Sequence, residues 1–260
     1  MEENVLYKTE GAVATVTLNR PAVMNSLNWD LCREAVSILD RADKDESVRA
    51  VVFTGAGKAF CAGGDLGMLK GLRDAAERYD CISMGGGLLA EKLRALNKPV
   101  IAMVNGVAAG AGFNLALSSD IIIASVKARF AQSFSLVGLV PDAGGHYLLP
   151  RIVGLAKAKE LMFTGDMISA EEALRLGLIN WAVSEDELAE KTYALAARLA
   201  AGPPLALKFI KKALNRSMDD NWGNVLEAEA AHQAICLCTE DHQEGVKAFF
   251  EKRPPQFKGR

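Results

Sequence analysis

The stretch Lys98–Asp120, KPVIAMVNGVAAGAGFNLALSSD, constrains this chain most. Val100 to Val104 is an unbroken apolar run of strand length. Asn105-Gly106 signals a turn. Gly110, Ala111 and Gly112 then carry nothing larger than a methyl group, and Phe113 to Ser118 reads as a helix. A strand that feeds a small-residue turn into a helix leaves N–H groups unpaired and pointing outward. Such donors suit an oxygen on which negative charge develops. Tight backbone packing calls for the same small residues, so the turn by itself fits either use. A membrane helix would need nearly this length, but the three glycines, two asparagines and lone basic flank argue against one.

Composition narrows the class. The 260 residues suffice for one large domain, or for one core with a small appendage. Half are hydrophobic and 24% are charged, as in a water-soluble globular protein. With 30 basic and 32 acidic side chains the net charge is -2, so no general attraction to nucleic acid or an anionic membrane is expected. The start, Met1-Glu2-Glu3-Asn4, is acidic and polar, and no signal or transit peptide is expected. Five cysteines without paired spacing fit free thiols in a reducing, cytoplasmic setting. His232, Cys236, Cys238 and His242 could be drawn as a metal site, but Cys-x-Cys on a helix gives poor shared geometry, and no metal is expected there.

Strands alternate with helices over about the first two-thirds of the chain. Ala12 to Leu18 alternates as a strand, Asn28 caps a helix carrying Leu31, Ala35, Ile38, Leu39 and Ala42, and Ala50 to Phe53 is a buried strand. Residues 58–66, KAFCAGGDL, form a second small-residue loop. Leu69 to Leu96 is mostly helical, interrupted by Gly85-Gly86-Gly87, and Ile121 to Ala124 is a strand. Ser169 and Glu172 have capping-box spacing, Gly177 ends that helix, and Leu178 to Val183 is a further strand. From Glu185 the pattern is helical, broken at Gly202-Pro203-Pro204 and Asp219-Asp220-Asn221. This order predicts an α/β fold with mostly parallel pairing and a helical C-terminal part. The division falls at about residue 200, with 1–200 as core and 201–260 as helical tail. Leu226, Ala230, Ile235 and Leu237 of the tail pack either on the chain's own core or on another subunit.

Five segments in order, AFCAGGDL, VNGVAAGAG, GLVPDAGG with YLLPRIVG, FTGDMISAEEALRLGLIN and FFEKRPPQFKGR, resemble the crotonase superfamily of enoyl-CoA hydratases and isomerases over essentially the whole chain. The resemblance implies a spiral of ββα turns with an all-helical C-terminal trimerisation region, assembled as a homotrimer or homohexamer. It implies an acyl-CoA thioester as substrate, with coenzyme A as part of that substrate and no separate cofactor. By matching position, two backbone N–H groups that bind the thioester oxygen belong to Gly64 and Ala111. Coenzyme A contacts map onto Arg20, Ala62, Asp65 and Leu66, and Phe249 and Lys252 match the aromatic and lysine that reach its adenine and phosphate end, often from a neighbouring subunit.

The chain also departs from the hydratase pattern. The two glutamates that hydratases use fall at Asn114 and Phe134, and neither side chain can ionise. Asn114 could still orient a group, and Phe134 could give the pocket apolar surface. One carboxylate remains nearby, Asp142 in GLVPDAGG, which is either a turn former or the working acid–base group. Its segment, PDAGG followed by His146-Tyr147-Leu148-Leu149-Pro150-Arg151, is similar to an isomerase subgroup that uses the matching Asp; a threonine is commoner at the place of His146. A single carboxylate favours double-bond migration, because one group can remove a proton and return it two carbons along. A hydratase using Asp142 with water placed by Asn114, and a silent acyl-CoA binder, are the alternatives.

Overall fold

The computed structural model describes residues 3–260; Met1 and Glu2, on which part of the leader expectation rests, lie outside the described residues. The chain opens with an antiparallel hairpin, β1 (Val5–Glu10) and β2 (Val13–Leu18), and α1 (Trp29–Lys44). The spiral begins with β3 (Ala50–Gly55) and β4 (Ala59–Cys61), followed by α2 (Leu66–Lys70), α3 (Ala75–Ile82) and α4 (Leu88–Ala95). Its next turn is β5 (Val100–Val104), β6 (Val107–Ala109) and α5 (Ala111–Leu117). The third is β7 (Ile121–Ser125), β8 (Arg129–Ala131) and α6 (Gly145–Thr164). Then come β9 (Met167–Ser169), α7 (Ala170–Arg175), β10 (Trp181–Val183) and α8 (Glu185–Ala200). The tail is α9 (Pro204–Ser217), α10 (Trp222–Leu237) and α11 (Glu240–Glu251).

Each turn of the spiral gives one strand to each of two sheets. The larger runs β1-β2-β3-β5-β7-β10 and is parallel from β2 onward; the smaller runs β4-β6-β8-β9. The corners are tight enough to exclude side chains. A Cβ at Gly106 would overlap the Lys58 carbonyl, and one at Gly55 would overlap the Phe60 carbonyl. Asn105 Nδ2 stitches that corner by donating to the Gly55 and Gly57 carbonyls at 2.9 and 2.8 Å. The core between sheets and helices is apolar and fully buried, with Phe53, Phe60, Phe113 and Phe130 its largest members.

Most elements lie where the sequence places them, including the Asn28 cap, whose side chain accepts from the Leu31 N–H. Four details differ. Residues 58–66 are not all loop, because Ala59–Cys61 pairs with β6. The helix after the glycine turn starts at Ala111 rather than Phe113, since small residues there let helix and strand backbones touch. Of Leu178 to Val183 only Trp181–Val183 pairs as a strand, while Leu178 and Ile179 fill the core from a loop. The N-terminal strand β1, mostly polar on its solvent face, has no clear signal in the sequence. The glycine run Gly85–Gly87 breaks the helical segment as expected, here as a π-type turn with non-helical dihedrals at Gly85.

The last three helices differ from the rest in burial. Only Lys211, Asp241 and Ala248 are buried among them, whereas Leu214, Met218, Trp222, Leu226, Ile235 and Leu237 are exposed. Polar ties hold the tail to the core. Lys211 Nζ donates to Asp120 Oδ2 at 2.8 Å and to the Leu93 and Lys98 carbonyls, and Asp120 Oδ2 also accepts the Val100 N–H at 2.7 Å. Among the described residues no helix is long and apolar enough to cross a membrane.

Candidate active site

A cavity of about 250 Å³ opens where the N-termini of α1, α2 and α5 meet the segment between β8 and α6. Gly64, Ala111 and Asp142, which the sequence scatters over 79 positions, all line it. Phe134 contributes an apolar wall, Ala62 and Leu66 lie toward the 62–69 loop, and Gly85 and Gly86 add bare backbone on the opposite side.

The loop at Gly64 is held by a single parallel bridge to Leu27. Leu27 donates to the Gly63 carbonyl at 2.7 Å and accepts from the Asp65 N–H at 2.9 Å. Successive peptides of an extended chain point to opposite sides, so the Gly64 N–H faces away from Leu27. It has no hydrogen-bond partner among the described residues, and neither has the Ala111 N–H at the first position of α5. The loops are in backbone contact: a Cβ at Gly63 would lie 2.9 Å from the Ala109 carbonyl oxygen and 3.6 Å from the Ala111 nitrogen. Gly110 turns the chain with φ 52°, and a Cβ at Gly112 would overlap the Cys61 carbonyl. Close packing and free donors therefore coexist here: the small residues hold in backbone contact the two loops that carry the unpaired N–H groups.

Asp142 is the only carboxylate in the cavity wall among the described residues. Its Oδ1 is buried and has no hydrogen-bond partner. Burial pushes its carboxyl up to about 6, opposed only by its own backbone N–H. The thiols of Cys32 and Cys81 share the wall, and burial raises both, Cys32 to about 12, so they stand as neutral apolar surface.

Other sequence candidates sit differently. Asn114 is fully buried and does not line the cavity; its amide donates to the Asp142 carbonyl at 2.9 Å and accepts from Gln132 Nε2 at 2.7 Å. Arg20 and Asp65 also stay out of the wall and instead brace the Gly64 loop. Arg20 Nη2 donates to Asp65 Oδ2 at 3.0 Å and Nη1 to the Ser26 carbonyl at 2.7 Å, while Asp65 caps α2 by accepting the Gly67 and Met68 N–H groups. Phe249 and Lys252 lie at the end of α11, outside the cavity lining, with Phe249 exposed. His146 is exposed and absent from the wall. Trp29, Cys32, Cys81 and Gln132 escaped sequence reasoning. Trp29 follows the recognisable Asn28 cap, and the glycine run marked the Cys81–Gly86 wall as irregular, but nothing in the sequence singles out Gln132. His232 stacks on Phe209 at 4.3 Å, and among the described residues no group of three or more His, Cys, Asp or Glu is placed to hold a metal ion.

Two sheets in a ββα spiral carry a cavity whose wall holds two unpaired N–H donors and a lone carboxylate. The chain belongs to the enoyl-CoA hydratase/isomerase family, whose model matches residues 8–260. It is 41% identical to the 1,2-epoxyphenylacetyl-CoA isomerase of Escherichia coli K12, with 100% of each chain covered. It is 40% identical to the short-chain-enoyl-CoA hydratase of Clostridium acetobutylicum, covering 96% of this chain and 95% of that one. The crystal structure of an enoyl-CoA hydratase from Bacillus anthracis superposes with a TM-score of 0.95 at 35% identity, covering 99% of this chain and 100% of that chain. The family and the crotonase fold implied by the sequence motifs are thereby shown. Relatives bear both isomerase and hydratase names.

Proposed function

We propose that the chain is an enoyl-CoA isomerase that moves a carbon–carbon double bond toward the thioester of an acyl-CoA. The supporting observation is the cavity wall itself: one carboxylate with a free, buried oxygen stands with two unpaired N–H groups. Asp142 removes a proton from the carbon next to the thioester. The electrons move onto the thioester oxygen, which the Gly64 and Ala111 N–H groups hold as a dienolate, each worth about 3 kcal/mol by analogy with other oxyanion holes. Asp142 then returns the proton two carbons along, and the double bond ends conjugated to the carbonyl. One group with a pKa near 6 serves both steps, as acid and as base. Hydration would need a second polar group to activate water, and Phe134 is apolar while both ends of the Asn114 amide are committed to protein partners.

In this reading Ala62 and Leu66 flank the pantetheine, with Arg20 and Asp65 acting through the loop they brace. Phe249 and Lys252 reach the nucleotide end only from a neighbouring protomer, which fits a trimer or a dimer of trimers built on the exposed tail helices. The chemistry is proton transfer and calls for no metal or redox cofactor. Incubation with 3-enoyl-CoA esters should produce the absorbance of a conjugated enoyl thioester with no change of mass. A product heavier by one water from 2-enoyl-CoA esters would make the chain a hydratase, and tight binding without turnover on any enoyl ester would make it a silent binder. Light scattering at micromolar concentration should show a trimer or hexamer; a monomer would remove the neighbour's part in binding.

A further inference from the structure

Asn114 stands where a hydratase would carry a glutamate, yet it lies behind the cavity rather than in it. Both ends of its amide are engaged, and their polarity is determined. The Asp142 carbonyl can only accept, so Asn114 turns its NH₂ toward it at 2.9 Å; that leaves Asn114 Oδ1 to accept from Gln132 Nε2 at 2.7 Å. A flipped amide would set donor against donor at one end and acceptor against acceptor at the other. Gln132 and Asn114 are buried, so water has little access to replace either bond.

The loop that receives this bond needs holding. Ala143 and Gly144 follow Asp142 in consecutive left-handed conformations, φ 45° and 81°, and alanine adopts that conformation at a cost. Within the loop the Gly145 N–H donates to the Asp142 carbonyl at 2.9 Å. The other partner of the Asp142 carbonyl is the Asn114 amide, which fills the space a Cβ at Gly145 would take. Asn114 also sits three positions after Ala111, in the first turn of α5. One helical turn therefore carries the free N–H at one end and the grip on the Asp142 backbone at the other.

We infer that Asn114, held on its other side by Gln132, is the positioning residue that fixes the Asp142 carboxyl relative to the Ala111 N–H. The inference rests on Asp142 being the acid–base group. The residue that in a hydratase would enter the chemistry is here turned to the support of a carboxylate elsewhere.

Two variants and one control test it. Asn114→Leu keeps the approximate volume and removes both bonds. Gln132→Glu keeps the shape but, once ionised, offers acceptors to Asn114, turning its amide round so that its oxygen meets the Asp142 carbonyl. With Asn114→Leu, kcat should fall about 10²-fold, the scale of a misplacement near 1 Å, while KM stays within a few-fold. The acid limb of its kcat/KM profile should also move down from about 6, because a loosened loop admits water to the carboxyl. Gln132→Glu should lower kcat in the same direction, most at alkaline pH, with the fold intact by circular dichroism. Should Asn114→Leu fail to fold, Gln132→Glu decides alone. A folded Gln132→Glu protein that keeps wild-type kcat up to alkaline pH, where the introduced carboxyl is ionised, would overturn the positioning role, whatever its melting temperature. The control Asp142→Asn separates the two ideas. If it is inactive while Gln132→Glu is normal, only the positioning role is lost. If it remains active, the acid–base reading of Asp142 itself falls.

Discussion

Two loops on the same side of the molecule each offer an aspartate, and they use it in opposite ways. The carboxyl of Asp65 is partly buried, which pushes it up, but the Met68 N–H, the Arg20 guanidinium and the Gly67 N–H together hold it below the usual carboxylate range. Both of its oxygens are engaged. Asp142 is more deeply desolvated, has one oxygen with no partner, and stands near 6. A carboxylate surrounded by donors is fixed and weakly basic, suited to building a loop. One surrounded by apolar wall is a stronger base with a free lone pair, suited to moving a proton. The molecule thus keeps one carboxylate tied into the Gly64 loop and the other, with a free oxygen, in the cavity wall.

The sharpest way to break this contrast is Asp142→Asn. It preserves size and leaves the free N–H groups alone, so acyl-CoA should still bind while turnover falls by about 10²–10⁴-fold. Exchange of the substrate's α-proton with deuterated water should fall in parallel. In the unchanged protein, kcat/KM should rise with pH through about 6 as Asp142 ionises into its basic form. A folded Asp142→Asn protein that still migrates the double bond would reduce Asp142 to a turn former.

Next in size is Gly64→Pro, which deletes the N–H that the Leu27 bridge turns outward. Loss of one such donor should cost about 10²-fold or more in kcat. Full activity in a folded variant would mean that this N–H does not touch the reacting oxygen.

Much of the fold is legible in the sequence. The glycine turn at 110–112, the loop at 62–65 and Asp142 each carry a local signal, because small residues and Pro-Asp turns are written in neighbouring letters. The strand and helix order followed from periodicity for the same reason. What the sequence left open was relational. That Arg20 and Asp65 brace a loop instead of lining the cavity depends on a contact across 45 positions. That Asn114 faces backbone rather than the cavity depends on the Asp142 carbonyl, 28 residues away. Trp29 and Cys32 read as an ordinary helix face, and only the packing of α1 against the Cys81–Gly86 wall turns them toward a cavity.

The smallest effects come from stability, where one substitution made in the two loops should give opposite signs. Asp142 has a folded pKa near 6 against an ordinary 3.8, so between those values the folded chain holds the proton more tightly than the unfolded chain. Its contribution is favourable below about 4 and is lost as pH rises through 6, leaving the ionised group a burden at neutral pH. Asp142→Asn should therefore stabilise the protein near pH 7 by up to about 3 kcal/mol, raising Tm by several degrees even as activity disappears. Asp65 is shifted the other way: its contribution is present above the unfolded pKa and lost as pH falls through the folded one. Asp65→Asn keeps an oxygen for the Gly67 and Met68 N–H groups, since Asn caps as well as Asp, but it loses the charge facing Arg20. That half-buried pair should cost about 1 kcal/mol when broken, with a small drop in Tm at neutral pH that vanishes in acid. Its turnover should change far less than in Asp142→Asn, because the Gly64 loop keeps its bridge to Leu27. Opposite roles for two aspartates thus reduce to two melting curves at two pH values, and a fall in Tm for both variants at pH 7 would show that Asp142 is held by its fold rather than strained within it.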